Sequence, residues 1–340
     1  MQIFIIICAE GVSGSMEVIM KKVLIMGGSY FIGKKIVDIM KIDNYEITIL
    51  NRGTKKNEDP TIKQLNCDRN DLSQMKNILK DKKYEVVIDV SCLNAEQATI
   101  LSQSLNTENL QTIIFISSSA VYKIDELTKP FKESDLVGMN HFWGDYGINK
   151  IRAEKYYENF VSNNGIQLII LRPPYVYGEN NYAQRESFMF DHIINNKPIL
   201  IPKSNCSLQF IYTTDLAYII KTLLNTQLMD QINIFNVGNK ESVTVKRWIE
   251  CCCKAANGKA HVIDYDYVST GRNIRDFFPF YDYDNILDVS KINKLVIYET
   301  DFIEGLKVAF EWFSNNKSKI NFKENVTFNE KCILSEINYK

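Results

Sequence analysis

The stretch Val23–Val37, VLIMGGSYFIGKKIV, runs from an apolar strand through a glycine turn into a helix. Val23 to Met26 reads as a buried strand, and Phe31 to Met40 as a helix with apolar residues at helical spacing. Between them lie Gly27, Gly28, Ser29, Tyr30, Phe31, Ile32 and Gly33. Glycines permit the tight turn, and the unpaired N–H groups of a helix N-terminus attract a pyrophosphate. Tyr30 stands where a G-x-x-G-x-x-G reading wants its middle glycine, and a side chain there hinders close backbone approach.

The second strand, Glu46 to Leu50, ends at Asn51-Arg52, 18 residues beyond Gly33. An acid near that spacing binds the ribose hydroxyls of NAD, whereas an arginine suits the extra phosphate of NADP. Asn51 and Arg52 therefore predict a site that prefers NADP and also accepts NAD. Short β-branched runs alternate with helical patterns through the first two-thirds of the chain. This predicts an α/β protein, a Rossmann doubly wound parallel sheet with a smaller C-terminal α/β substrate lobe. Residues 1–20 form an extension read as dispensable rather than as a signal, since no Lys or Arg precedes Lys21. Residues 21–178 form the dinucleotide-binding domain. Residues 179–318 are mainly substrate lobe, with 210–238 returning to the Rossmann sheet, and 319–340 are a peripheral tail.

Composition narrows the function classes. The chain has 340 residues, 40 basic against 41 acidic, and a net charge of −1. That balance is unlike a dedicated nucleic-acid binder, and no apolar run is long enough to span a bilayer. Its eight cysteines match neither a zinc site nor a disulfide framework. His141, His192 and His261 form no ligand cluster, so no metal is expected. A cytoplasmic protein with reduced thiols fits this usage.

Two further segments carry chemistry. SSSAVY (Ser117–Tyr122) ends a strand, and YGINK (Tyr146–Lys150) opens a helix. Four residues apart, Tyr146 and Lys150 project from one helical face. Tyrosine is a poor base at neutral pH, and a nearby ammonium favours its phenolate. The lysine can also hold the ribose of the nicotinamide. A serine at the strand end can hydrogen-bond the substrate oxygen that gains or loses the proton.

With GGSYFIG, SSSAVY, YGINKIRAE, LRPPYVYGENNY, QFIYTTDLA, FNVG and LDVSK, residues 21 to 315 resemble the extended short-chain dehydrogenases, the NAD-dependent epimerase/dehydratase family. The resemblance implies Ser118 as the catalytic hydroxyl, Tyr146 as the acid/base and Lys150 as its partner. It places Asp68 at the adenine amino group and the loop from Pro173 to Val176 beside the nicotinamide. GGSYFIG, RPPYVYGENNY and FPFYDYD resemble a divergent branch, the chloroplast stem-loop RNA-binding proteins and their bacterial relatives.

Departures from the family narrow the reaction. Ser119 and Ala120 stand where sugar dehydratases carry an Asp-Glu pair. Leu208 and Gln209 stand where sugar-nucleotide epimerases place a diphosphate-gripping arginine, leaving Arg272 or Arg275 for that task. His141 is a candidate pocket residue, and the aromatics of RDFFPFYDYD are candidates to close the pocket. The expected function is an epimerase or reductase acting on a hydroxyl or carbonyl of a sugar-like substrate, which extends to nucleotide sugars. Its expected partners are that small molecule and a second copy of the chain as a homodimer, with no membrane. The alternatives are an RNA-binding protein and a non-catalytic NADP-binding protein on the same fold.

Overall fold

The computed structural model describes residues 20–43, 45–320 and 322–338. Except for Met20, the N-terminal extension lies outside them. The chain alternates strand and helix as its hydrophobic periodicity dictates: β1 (Lys21–Met26), α1 (Phe31–Met40), β2 (Tyr45–Asn51), β3 (Lys63–Asn66), α2 (Leu72–Leu79), β4 (Val86–Asp89), α3 (Ala95–Ser104), β5 (Thr112–Ile116), α4 (Asp145–Asn164) and β6 (Gln167–Arg172). The second half follows with β7 (Tyr175–Tyr177), α5 (Glu186–Ile194), β8 (Pro198–Pro202), β9 (Ser207–Leu208), β10 (Phe210–Tyr212), α6 (Thr213–Leu224), β11 (Ile232–Asn236), β12 (Val243–Thr244), α7 (Val245–Ala256), β13 (His261–Tyr265), α8 (Ser290–Asn293), α9 (Phe302–Asn315) and α10 (Glu324–Glu336).

Seven strands form one parallel sheet in the order β11-β6-β5-β4-β1-β2-β3. Strands β1, β2, β4, β5 and β6 are largely buried on both faces, which is why they read as continuous apolar runs rather than alternating ones, while β3 at the edge is half-exposed. Strand order reverses between β1 and β4, and such a reversal opens a crevice at the carboxyl ends of the strands. The glycine turn after β1 and the residues after Asp89 flank that crevice. Within 210–238, β11 rejoins the sheet beside β6, while β10 pairs with β7 in a separate ribbon. Phe210 instead stacks on Trp248, with ring centroids 3.8 Å apart, in the core of the second lobe.

That lobe packs α5, α7 and α9 around Tyr177, Phe190, Trp248 and Phe313. Helix α10 docks on it through Ile333, which is fully buried, and through His192 Nε2 at 3.0 Å from Glu330 Oε1. Among the described residues no helix is long and apolar enough to cross a membrane.

Candidate active site

The glycine turn is built by close approach. Gly27 (φ 118°) and Gly28 (φ 73°) take backbone conformations that side-chain-bearing residues rarely adopt. A Cβ on residue 28 would lie 2.5 Å from Ile49 Cγ2, and one on residue 33 would lie 2.5 Å from Gly28 N. The glycines thus seat α1 tightly against β1 and β2. Tyr30 is the extended N-cap of α1 and makes no capping hydrogen bond. Its ring is 50% exposed, with the Lys55 ammonium 4.9 Å from its centroid. Tyr30 therefore leaves the first amides of α1 uncapped by its own side chain, and such a helix start fits a pyrophosphate. Phe31 and Gly33 are buried and Ile32 is half-buried.

At the end of β2, Asn51 Nδ2 donates to Ser29 Oγ at 2.8 Å, and its Oδ1 accepts from Gly53 N at 2.8 Å and Gln64 Nε2 at 3.0 Å. The amide is committed to holding the turn. Arg52 is exposed. Asp68 is also exposed, and its Oδ1 accepts from Asn70 N at 3.0 Å.

The start of α4 is seated on the short 3-10 turn Ser119–Val121. A Cβ on residue 147 would lie 2.4 Å from the Ala120 carbonyl oxygen, so only glycine allows this contact. Asn140, buried, donates to the carbonyls of Ala120 (3.0 Å) and Tyr122 (2.9 Å), locking the approach to the helix. This seating brings the first turn of α4, with Tyr146, against the turn that Ser118 caps. Ser118 Oγ accepts from Ala120 N at 3.2 Å, and Tyr146 is 39% exposed. One turn further into the protein, Lys150 is 3% exposed. Its ammonium donates to the carbonyls of Cys92 (2.7 Å) and Ile116 (2.8 Å), which leaves one of its three protons for another partner.

Beneath Lys150 lies a buried carboxylate that the sequence did not flag. Asp89 accepts two bonds of 2.8 Å from the Arg69 fork, one of 2.6 Å from the Tyr157 hydroxyl and one of 3.1 Å from Cys92 N. Burial pushes the Asp89 carboxyl up, but the Arg69 charge and these hydrogen bonds outweigh it and hold the carboxyl below its usual range. Asp89 thereby fixes the turn whose Cys92 carbonyl holds Lys150. Pro173 and Val176 are both buried on the far side of the crevice. The Pro173 carbonyl accepts from Ser119 N at 2.9 Å and the Val176 carbonyl from Arg185 Nη1 at 3.0 Å.

The second lobe contributes an aromatic and basic rim. Trp143 packs at 4.8 Å from Tyr281 and donates from Nε1 to the Tyr283 hydroxyl at 2.9 Å. The Arg185 guanidinium lies 4.9 Å from the Tyr175 centroid, and Arg275 lies 5.2 Å from that of Tyr281. Burial makes it easier for Arg275 to lose its proton, and the neighbouring Arg185 charge adds to this. Both guanidiniums thus face aromatic rings, and an anion at this rim would offset their mutual repulsion. Arg272 is turned away and pairs with Glu336 at 2.6 Å. His141 pairs with Asp125 at 2.6 Å on the surface. Of RDFFPFYDYD, Phe277, Phe278 and Phe280 are buried in the second core, while Arg275 and Tyr281 reach the rim.

Glu186 anchors the loop between β7 and α5. Its carboxylate accepts from Gly178 N and Asn181 Nδ2, both at 3.0 Å. Arg185, the Tyr177 phenol and the Cys252 thiol face it. Burial pushes Glu186 up to about 7 from 4.5, against the pull of those hydrogen bonds and of Arg185. A carboxyl with its folded pKa raised contributes stability that is complete below pH about 4.5 and declines toward about 7, by roughly 3 kcal/mol. Glu186→Gln, which cannot titrate, should flatten that slope between pH 5 and 7.5 in urea unfolding. An unaltered slope would assign the pH dependence to other groups.

A family model described as the NAD dependent epimerase/dehydratase family matches residues 23–238. The chloroplast stem-loop binding protein of 41 kDa b of Arabidopsis thaliana is 26% identical over 88% of this chain and 80% of its own length. A putative UDP-glucose 4-epimerase of Methanocaldococcus jannaschii is 26% identical over 86% of this chain and 99% of its own. The crystal structure of the UDP-glucose 4-epimerase of Thermotoga maritima with UDP-glucose superposes with a TM-score of 0.73 at 16% identity. That match covers 87% of this chain and 99% of that one, a likeness of fold.

Proposed function

The chain belongs to the NAD dependent epimerase/dehydratase family, and on that premise we propose that it epimerises or reduces a hydroxyl or carbonyl carbon of an anionic, sugar-like substrate. The observation that carries this reading is the buried Lys150 ammonium, held on the Cys92 and Ile116 carbonyls one helical turn below the half-open Tyr146. A buried, doubly held cation one helical turn from a half-open phenol, at a strand-end crevice, suits a proton relay. When bound, a nicotinamide dinucleotide supplies the hydride acceptor or donor for the substrate carbon. The Tyr146 phenolate takes the hydroxyl proton as that carbon is oxidised, and the phenol returns it on reduction. Ser118 Oγ hydrogen-bonds the same substrate oxygen and orients it. Lys150, with a proton left beyond its two carbonyl partners, reaches the ribose side of the crevice. Arg185 and Arg275 hold the substrate's negative charge, a task suited to a nucleoside diphosphate sugar. A screen of epimerisation and NADPH oxidation against UDP-sugars and keto-sugars tests the reading. It fails if the purified protein binds no dinucleotide.

The cofactor preference follows from the end of β2. Asn51 removes a repelling carboxylate, and among the described residues no ion pair is recorded for Arg52. A guanidinium left in water can meet a ribose phosphate. Calorimetry should find NADP bound more tightly than NAD. Arg52→Ala should weaken NADP by about tenfold or more and leave NAD nearly unchanged, as for the loss of one charge-assisted hydrogen bond. Tighter NAD binding by the wild type, indifferent to the substitution, would refute the preference.

A further inference from the structure

The loop from Gly178 to Glu186 is tied down at both ends yet carries a large ring into the open. Glu179 pairs with Lys35 of α1 at 2.7 Å and accepts from the Tyr212 hydroxyl at 2.8 Å. Glu186 holds Gly178 and Asn181, and Arg185 holds the Val176 carbonyl. Gly178 (φ 138°) and Asn180 (φ 61°) both take positive φ, so the turn is a built conformation. At its tip Tyr182 is 80% exposed. Its ring meets Phe31 edge-on, 6.0 Å between centroids at 79°. Phe31 itself has φ 44°, a left-handed conformation that costs a bulky residue strain and is kept where the surroundings impose it. The Tyr146 phenol and the Arg185 guanidinium lie near enough to act electrostatically on the Tyr182 hydroxyl.

One exposed ring thus packs on the first residue of α1, beside the glycine turn, in the neighbourhood of the proposed acid/base. A tyrosine held by its backbone but left uncovered gives up the apolar burial that such rings contribute when packed. A planar ligand lying between Phe31 and Tyr146 would supply that burial. We propose that Tyr182 is a positioning residue that roofs the nicotinamide half of the crevice, packing on the dinucleotide and shielding the reacting centre from water. This rests on the reading of the crevice as a dinucleotide site. It assigns the loop's five ties a purpose: they hold the roof in place before the ligand arrives, so that little ordering remains to oppose binding.

The test is titration of the full chain with NADPH, following the nucleotide's own fluorescence, for wild type, Tyr182→Ala and Tyr182→Phe. Thermal melting should be unchanged, because the side chain is exposed. The alanine variant should bind NADPH about 10- to 100-fold more weakly, the loss of one ring's apolar packing. It should also lose the enhanced, blue-shifted emission of a water-shielded nicotinamide. The phenylalanine variant should keep both affinity and emission. If wild type binds NADPH and the alanine variant matches it in affinity and emission, Tyr182 is no roof and the crevice reading stands. If wild type binds neither NADPH nor NADH, the crevice reading falls and takes this role with it.

Discussion

Tyr146→Phe is expected to lower turnover by about 10²–10⁴-fold, the usual cost of removing a positioned acid/base, while thermal melting and dinucleotide affinity stay at wild-type values. The substitution removes one oxygen from a side chain that is 39% exposed. The ring remains to pack on Trp143, 5.7 Å away. The α4 helix remains seated, because Gly147 and Asn140 do that work. Only the proton relay is lost, so kcat should fall with KM little changed. Lys150→Met should show a different pattern. It strips two carbonyls of their buried donor, so stability, cofactor affinity and turnover should all decline. Wild-type turnover of an identified substrate by Tyr146→Phe would move the chemistry to another residue.

The largest expected effect on stability lies just behind the site. Arg172 and Glu154 form a doubly bonded pair, 2.6 and 3.0 Å, with both side chains only 4% exposed. Glu154 also accepts from the Ser117 hydroxyl, and Arg172 reaches the Tyr122 hydroxyl at 3.2 Å. Tyr122 passes the chain on to Asn236 at 2.6 Å, linking β5, α4, β6 and β11. Burial opposes the Arg172 charge, but Glu154 beside it holds the guanidinium protonated even more firmly than usual. Arg172→Met leaves a buried carboxylate without its counter-ion and should cost about 3–5 kcal/mol in urea unfolding at pH 7. Arg172→Met with Glu154→Leu should recover much of that, because the desolvated charge goes too. A single-variant loss under about 1 kcal/mol would mean that water reaches the pair.

Much of this was legible in the sequence. The strand–glycine–helix stretch located β1, α1 and the crevice, because local periodicity and turn chemistry agree there with the tertiary fold. The i,i+4 pair correctly put Tyr146 and Lys150 on α4. Other elements carried weaker signals. β3 (KQLN) has too few apolar residues for a strand pattern, in β13 (HVIDY) the valine and isoleucine stand side by side instead of alternating, and α10 is largely polar, docking by one buried isoleucine and one histidine pair. The rim was hidden for a different reason. Arg275 was readable as an anion-binding candidate, but Arg185 and Tyr182 are ordinary residues until their loop is folded, and the Asp89–Arg69 pair joins residues 20 apart in sequence. Such contacts leave no periodicity to read.

The three hydrogen bonds of Asn51 bear on how a change of coenzyme could arise. An aspartate there would introduce the carboxylate that suits NAD and could still accept from Gly53 N and Gln64 Nε2, while the Ser29 contact would have to turn round, with the hydroxyl donating to the carboxylate. A lineage, or an engineer, exchanging one coenzyme for the other could therefore change Asn51 alone and keep Ser29 and Gln64, because both neighbours can donate to a carboxylate in its place.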